Sequence, residues 1–183
     1  MSFNFKYIGS YDINRIADKV NKFTEFDWDY WTFKQKKYEV HKSTKTIPLL
    51  FDENYDNHFD ANKSIYYHLF KTELDELTDI FTNFYGIECS ILRAEIARLE
   101  ANSAIPTHCD TGDSLTLNQR IHLCIKTNED CIFTISNESK NIKLGEIWEI
   151  DNSSEHSVTN GGDNNRIHII LDVKQKKIFK NIL

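Results

Sequence analysis

Five stretches decide how this chain folds: Ile91–Leu99 (ILRAEIARL), Arg120–Lys126 (RIHLCIK), Cys131–Ile135 (CIFTI), Glu146–Ile150 (EIWEI) and Arg166–Val173 (RIHIILDV). Each is short and rich in branched aliphatic residues. From Glu88 onward the pattern has a period of two, the period of a strand whose residues i and i+2 share a face. Turn-forming residues separate the stretches: Asp110-Thr111-Gly112, Asn128-Glu129-Asp130, Asn137-Glu138-Ser139 and Asn160-Gly161-Gly162-Asp163. Many short strands with no helix between them predict an antiparallel sandwich or barrel over residues 88–183.

Upstream, the period changes. Ile13, Ile16, Ala17, Val20 and Phe23 recur at helical spacing within Asp12–Phe23. A longer amphipathic helix is predicted over Lys63–Phe84, with an apolar face of Ile65, Leu69, Phe70, Leu74, Leu77, Ile80, Phe81 and Phe84 and a stop at Gly86. Between them, Phe26–Phe59 reads as aromatic and irregular, with a strand near Thr46–Phe51 that Pro48 confines to a sheet edge. The expectation is one domain, 1–183, mainly β with N-terminal helices: residues 1–87 a helical support, residues 88–183 the β core.

Composition narrows the function classes. With 183 residues, 40% of them hydrophobic, the chain can bury a sizeable core, which argues against disorder. A net charge of −6 lacks the basic footprint of a nucleic-acid binder. No apolar run approaches the roughly 20 residues that span a bilayer. Met1–Tyr11 lacks the basic-then-apolar order of a signal peptide. Cys89, Cys109, Cys124 and Cys131 form no C-x-x-C pair and read as reduced thiols. A soluble, cytoplasmic protein with no membrane or nucleic-acid partner is expected.

Three groups of residues carry candidate chemistry. In an extended segment, His108 and Asp110 point to the same side and present an imidazole and a carboxylate together. That pair suits a divalent ion such as iron(II), although an H-x-D triplet in a solvated loop is common by chance. His156, beyond the turn Asp151–Ser154, would complete a facial triad of two histidines and one carboxylate. Taken alone it reads more readily as a surface histidine than as a ligand. Arg166 opens the most apolar strand, where a guanidinium must be ion-paired or meet an anion such as a carboxylate. Arg120 and His122 form a same-face pair on another strand, as do Arg166 and His168; His122 is also readable as a satisfied core histidine.

Taken in order, these residues resemble the aspartyl/asparaginyl β-hydroxylase family of 2-oxoglutarate oxygenases, which also includes bacterial hydroxylases of free proline. The resemblance runs from about Leu92 to Val173. It rests on Ile105-Pro106-Thr107-His108-Cys109-Asp110, on Arg120-Ile121-His122-Leu123, and on Gly145-Glu146 through Asp151-Asn152-Ser153-Ser154-Glu155-His156, followed by Arg166 and Leu171-Asp172-Val173. It implies a double-stranded β-helix, the jelly-roll or cupin-like fold. It implies iron(II) on His108, Asp110 and His156, and the distal carboxylate of 2-oxoglutarate on Arg166. Arg120 and His122 would sit near the other end of the cosubstrate, and O2 would be the oxidant.

Two features mark this chain within that resemblance. Asp110 is retained where some animal members carry glycine, as in the bacterial free-amino-acid hydroxylases. Ala97 stands where some members place a serine on the cosubstrate. The expected substrate is a free amino acid such as proline, or an Asp, Asn or Pro residue in a peptide, with Trp28, Trp31, His41 and Thr44 lining or covering the mouth. The alternatives are a cupin metalloenzyme that does not use 2-oxoglutarate and a non-catalytic cupin binding module.

Overall fold

The computed structural model describes residues 3–51, 61–111, 115 and 117–176. Gly112 and the end of the aromatic stretch at Phe59 lie outside them. In chain order the elements are β1 (Phe5–Ser10), α1 (Asn14–Val20), α2 (Glu25–Asp29), α3 (Phe33–Lys37), β2 (Thr44–Phe51), β3 (Asn62–Lys63), α4 (Tyr67–Tyr85), β4 (Cys89–Leu99), β5 (Ser103–His108), β6 (Gln119–Lys126), β7 (Cys131–Ile135), β8 (Glu138–Lys140), β9 (Glu146–Ile150), β10 (His156–Asn160) and β11 (Arg166–Gln175). A single 3-10 turn, Glu39–His41, precedes β2.

The strands form two sheets. The major sheet has the order β1-β9-β6-β11-β4-β2-β3 and the minor sheet β5-β10-β7-β8. Every pairing is antiparallel. This is the jelly-roll arrangement, in which two facing sheets enclose a mouth. The N-terminal half is more than a helical support, because β1 pairs with β9 and β2 with β4 inside the major sheet. The strand that carries Pro48 is not the sheet edge expected, because the two-residue β3 lies outside β2. At Pro48, β2 is paired on one side only, with Glu95 of β4, and β3 joins later at Leu50 and Phe51.

Alternation along the central strands divides the interior. Ile121, Leu123, Ile167, Ile169, Leu171, Val173 and Ile96 face α1 and α4, where they pack with Ile16, Val20, Phe70, Leu77 and Phe81. The intervening residues turn toward the minor sheet. There Leu99, Cys124, Phe133, Ile135, Ile150 and Val158 form a second, smaller apolar cluster. The charged residues Glu95, Arg98, Arg120 and Arg166 and the imidazole His122 line a cavity beside it.

Helix α4 ends at Gly86 in the left-handed conformation (φ 65°), the expected stop. Its apolar face is narrower than the spacing suggests. Phe70, Leu74, Leu77 and Phe81 are buried, but Ile65 lies before the helix and is exposed, as are Leu69 and Phe84. The segment read as irregular holds α2 and α3, each five residues long. Helices that short carry too little periodicity to register. All four cysteines are free; Cys109 is exposed and the other three are buried. Among the described residues, no helix is long and apolar enough to cross a membrane.

Candidate active site

His108 ends β5 and His156 begins β10, and the two are direct cross-strand partners in the minor sheet. Their ring centroids lie 4.3 Å apart. Asp110 follows two residues after His108, and its backbone N–H donates to the Asn152 carbonyl at 3.0 Å, which folds the segment over the sandwich mouth. One nitrogen or oxygen from each of His108, Asp110 and His156 falls within 4.8 Å of the others. The side-chain alternation holds, since Cys109 between His108 and Asp110 is exposed.

The hydrogen bonds fix which atoms are available. His108 Nδ1 lies 2.8 Å from the Pro106 carbonyl oxygen, and His156 Nδ1 lies 2.9 Å from that of Ser154. A carbonyl can only accept, so both Nδ1 atoms carry the proton and both Nε2 lone pairs are free. His108 Nε2 sits 3.9 Å from Asp110 Oδ1. The other carboxylate oxygen, Oδ2, accepts from Asn152 Nδ2 at 3.1 Å and faces Arg120 Nη1 at 3.4 Å. Two imidazole Nε2 atoms and Asp110 Oδ1 are thus left convergent, each held from behind. This donor set fits a divalent transition metal with coordination positions to spare.

Electrostatics match that use. Burial pushes the Asp110 carboxyl up, but Arg120, His156 and the Asn152 amide outweigh it and leave it below the usual range. Burial lowers His156 and holds His122 and His168 well below the usual imidazole range, with Arg166 adding to the shift of the last two. These three rings are neutral near pH 7. Burial likewise lowers His41 to about 3, with Lys34 and His108 contributing.

The triad opens onto a cavity of about 220 Å3. Arg166, 3% exposed, lines one side with Val158, Phe133 and Ala97. Its Nη2 donates to His168 Nδ1 at 2.8 Å, and its guanidinium stands over the Phe133 ring at 5.7 Å. No carboxylate pairs with it among the described residues. Burial therefore works against its charge with nothing ionic to compensate. Arg120 and His122 line the same cavity. Arg120 is already engaged, with Nε donating to Asp172 Oδ1 at 2.6 Å and Nη2 to Oδ2 at 3.4 Å.

Of the four residues expected at the mouth, His41 and Thr44 line the cavity and the tryptophans do not. Trp28 is buried, packs edge-on against Phe23 and lies under the Arg98 guanidinium. Trp31 packs edge-on against Phe51 and at a tilt against Phe33. An aromatic run gives no sign of which rings will be drawn into packing.

Four contributors escape the sequence reading. Asn152 and Asp172 were legible only as members of a longer motif, although Asp172 shares its strand face with Arg166 and His168. Lys34 and Glu95 form a buried ion pair across the cavity, between α3 and β4. The Oε2 of Glu95 has no hydrogen-bond partner among the described residues. No sequence spacing links positions 34 and 95; only the placement of α3 over the sheet does.

Comparison with known proteins agrees with this geometry. The sequence profile of the aspartyl/asparaginyl beta-hydroxylase family matches residues 12–176. Among solved structures, the chain is similar to a 2OG-Fe(II) oxygenase-family oxidoreductase from Burkholderia pseudomallei, with TM-score 0.60, 14% identity, and 73% of this chain and 67% of that one covered. It is also similar to the collagen prolyl hydroxylase of Paramecium bursaria Chlorella virus-1 in its 2OG complex, with TM-score 0.58, 11% identity, and coverage of 96% and 98%. A Pseudomonas putida prolyl-4-hydroxylase matches with TM-score 0.52, 7% identity, and coverage of 96% and 95%. Identities this low establish a shared fold. The profile match runs from before α1 to the end of β11, and on that basis the chain belongs to the aspartyl/asparaginyl β-hydroxylase family and is an oxygenase.

Proposed function

We propose that His108, Asp110 and His156 hold iron(II), that Arg166 receives the C5 carboxylate of 2-oxoglutarate, and that the chain hydroxylates the side chain of a free amino acid. The observation that carries this reading is the pairing of two unspent features in one cavity. One is a convergent His-Asp-His donor set whose non-ligand atoms are all hydrogen-bonded. The other is a buried arginine with no carboxylate partner among the described residues. Bound together, iron(II) and 2-oxoglutarate supply oxidative chemistry in which one oxygen atom of O2 ends in succinate, with loss of CO2, and the other in the substrate hydroxyl.

The protein's own residues orient and exclude. The carbonyls of Pro106 and Ser154 hold the histidine rings in the tautomer that leaves Nε2 free. Asn152 and Arg120 fix Asp110 through Oδ2. Phe133, Val158, Ile150 and Leu99 give the cavity an apolar part of its lining. His122 and His168 are neutral and buried, and no proton transfer is assigned to either.

The size of the cavity favours a free amino acid: it is smaller than the roughly 300–1,000 Å3 of the pockets that take drug-sized ligands. A cupin that does not use 2-oxoglutarate would have no need of the buried Arg166 charge, and a non-catalytic module no need of the donor set.

The test is reconstitution with iron(II) under anaerobic conditions, followed by succinate release measured against free amino acids and a peptide library. Stimulation by one or a few free amino acids supports the reading. Stimulation by peptides alone would remove the substrate assignment, and absence of 2-oxoglutarate binding would remove the cosubstrate assignment.

A further inference from the structure

The three arginines that line the cavity are held in two different ways. Arg98 pairs with the carboxylates of Glu25 and Glu100, at 2.7 and 2.9 Å. Arg120 pairs with Asp172 and faces Asp110. Arg166 alone among them is held by a neutral group, the imidazole of His168, itself 1% exposed. Because a guanidinium only donates, His168 Nδ1 must offer a lone pair and its proton must sit on Nε2. His122 Nδ1 lies 3.4 Å from the same atom, but a ring nitrogen offers one lone pair and the closer Arg166 Nη2 takes it. Across the strands, His168 stands opposite Ala97 on β4 and Cys124 on β6. Neither neighbour offers a strong acceptor that could take its place.

We infer that His168 is a positioning residue for cosubstrate binding: it orients Arg166 through an uncharged acceptor, so the guanidinium keeps its full charge for the ligand's carboxylate. A carboxylate at this position would hold Arg166 equally well, but it would neutralise the charge and compete with the ligand for the same N–H groups. An apolar residue would leave the charge available and the fork unaimed. The inference rests on Arg166 as the cosubstrate anchor, and it assigns the reason that Arg166 is available.

The test uses Co(II)-loaded protein, which binds without turnover, titrated calorimetrically with 2-oxoglutarate. His168→Asp should weaken 2-oxoglutarate binding by a hundredfold or more. His168→Asn, whose amide oxygen can stand where Nδ1 stood, should stay within about threefold of the parent, and His168→Leu should lose about tenfold, the scale of a charge-assisted hydrogen bond. The Co(II) visible spectrum should be unchanged in all three, because no metal ligand is touched. If His168→Asp does not fold, the Asn and Leu variants still decide the matter. Equal losses in Asn and Leu, or parental affinity in Asp, would overturn the inference. Failure of the parent protein to bind 2-oxoglutarate would instead overturn the assignment of Arg166.

Discussion

Replacing Arg166 with methionine removes a cation that is 3% exposed and keeps most of the side chain's apolar length. A guanidinium gripping a carboxylate in a buried site makes two charge-assisted hydrogen bonds, each worth about 1.5–3 kcal/mol. Losing both should cost about 3–6 kcal/mol of 2-oxoglutarate binding, roughly a hundredfold to ten-thousandfold in Kd at 1.4 kcal/mol per decade. Arg166→Lys keeps the charge but loses the fork, and should fall between, at about tenfold to a hundredfold. Stability should respond differently. Removing a buried charge that has no ionic partner is neutral or stabilising by about 1–4 kcal/mol. Against this, His168 Nδ1 loses its donor at a cost of about 1–3 kcal/mol. The two effects nearly offset, so the thermal midpoint of the metal-loaded protein without 2-oxoglutarate should move by only a few degrees. Isothermal titration and calorimetric melting read the two quantities separately. An unchanged 2-oxoglutarate affinity would refute the anchor role. A collapse of the melting temperature would show that Arg166 serves the core instead.

Other outcomes follow from the same geometry. His108→Ala and His156→Ala should each abolish the Co(II) visible spectrum, and Asn152→Ala, which frees Asp110 Oδ2, should weaken metal binding by about tenfold to a hundredfold; a parental metal affinity in Asn152→Ala would mean that Asp110 needs no support. Gly145 has φ 76°, and a Cβ there would lie 2.7 Å from the Tyr11 carbonyl oxygen, so Gly145→Ala should destabilise by more than about 1 kcal/mol in urea unfolding, with no effect expected on 2-oxoglutarate affinity. Hydrogen bonds from Arg98 and Lys45 hold the Glu25 carboxyl at about 2, below its ordinary 4.5. Its contribution is therefore fully present above about pH 4.5 and is lost as pH falls toward 2. Melting temperatures across that window should fall less steeply in Glu25→Gln than in the parent, and added salt should reduce the difference because the carboxylate is exposed.

The sequence by itself determined the β core. The period of two over Arg166–Val173 and Arg120–Lys126 assigns one row of side chains to the helices and the other to the cavity, because the pleat allows no other alternation. For the same reason His108 and Asp110 were readable as a pair. It also marked Arg166 as a charge in an apolar strand that requires a partner. What it left open are relations between distant segments. That His108 and His156 are cross-strand partners depends on the register of β5 against β10, and both strands are too polar to announce themselves. The division of the aromatic N-terminal half, with Trp28 packed away and His41 at the cavity, depends on how α2 and α3 dock. The carboxylate partners of Arg98 and Arg120, Glu25 on α2 and Asp172 on the neighbouring β11, depend on how α2 docks and how β6 pairs, whereas Arg166 and His168 lie two residues apart on one strand and were readable as a same-face pair. Local spacing carries the first kind of information because the strand period is fixed by covalent geometry. The second kind arises only when two sheets close on each other, and the tertiary structure alone decides it.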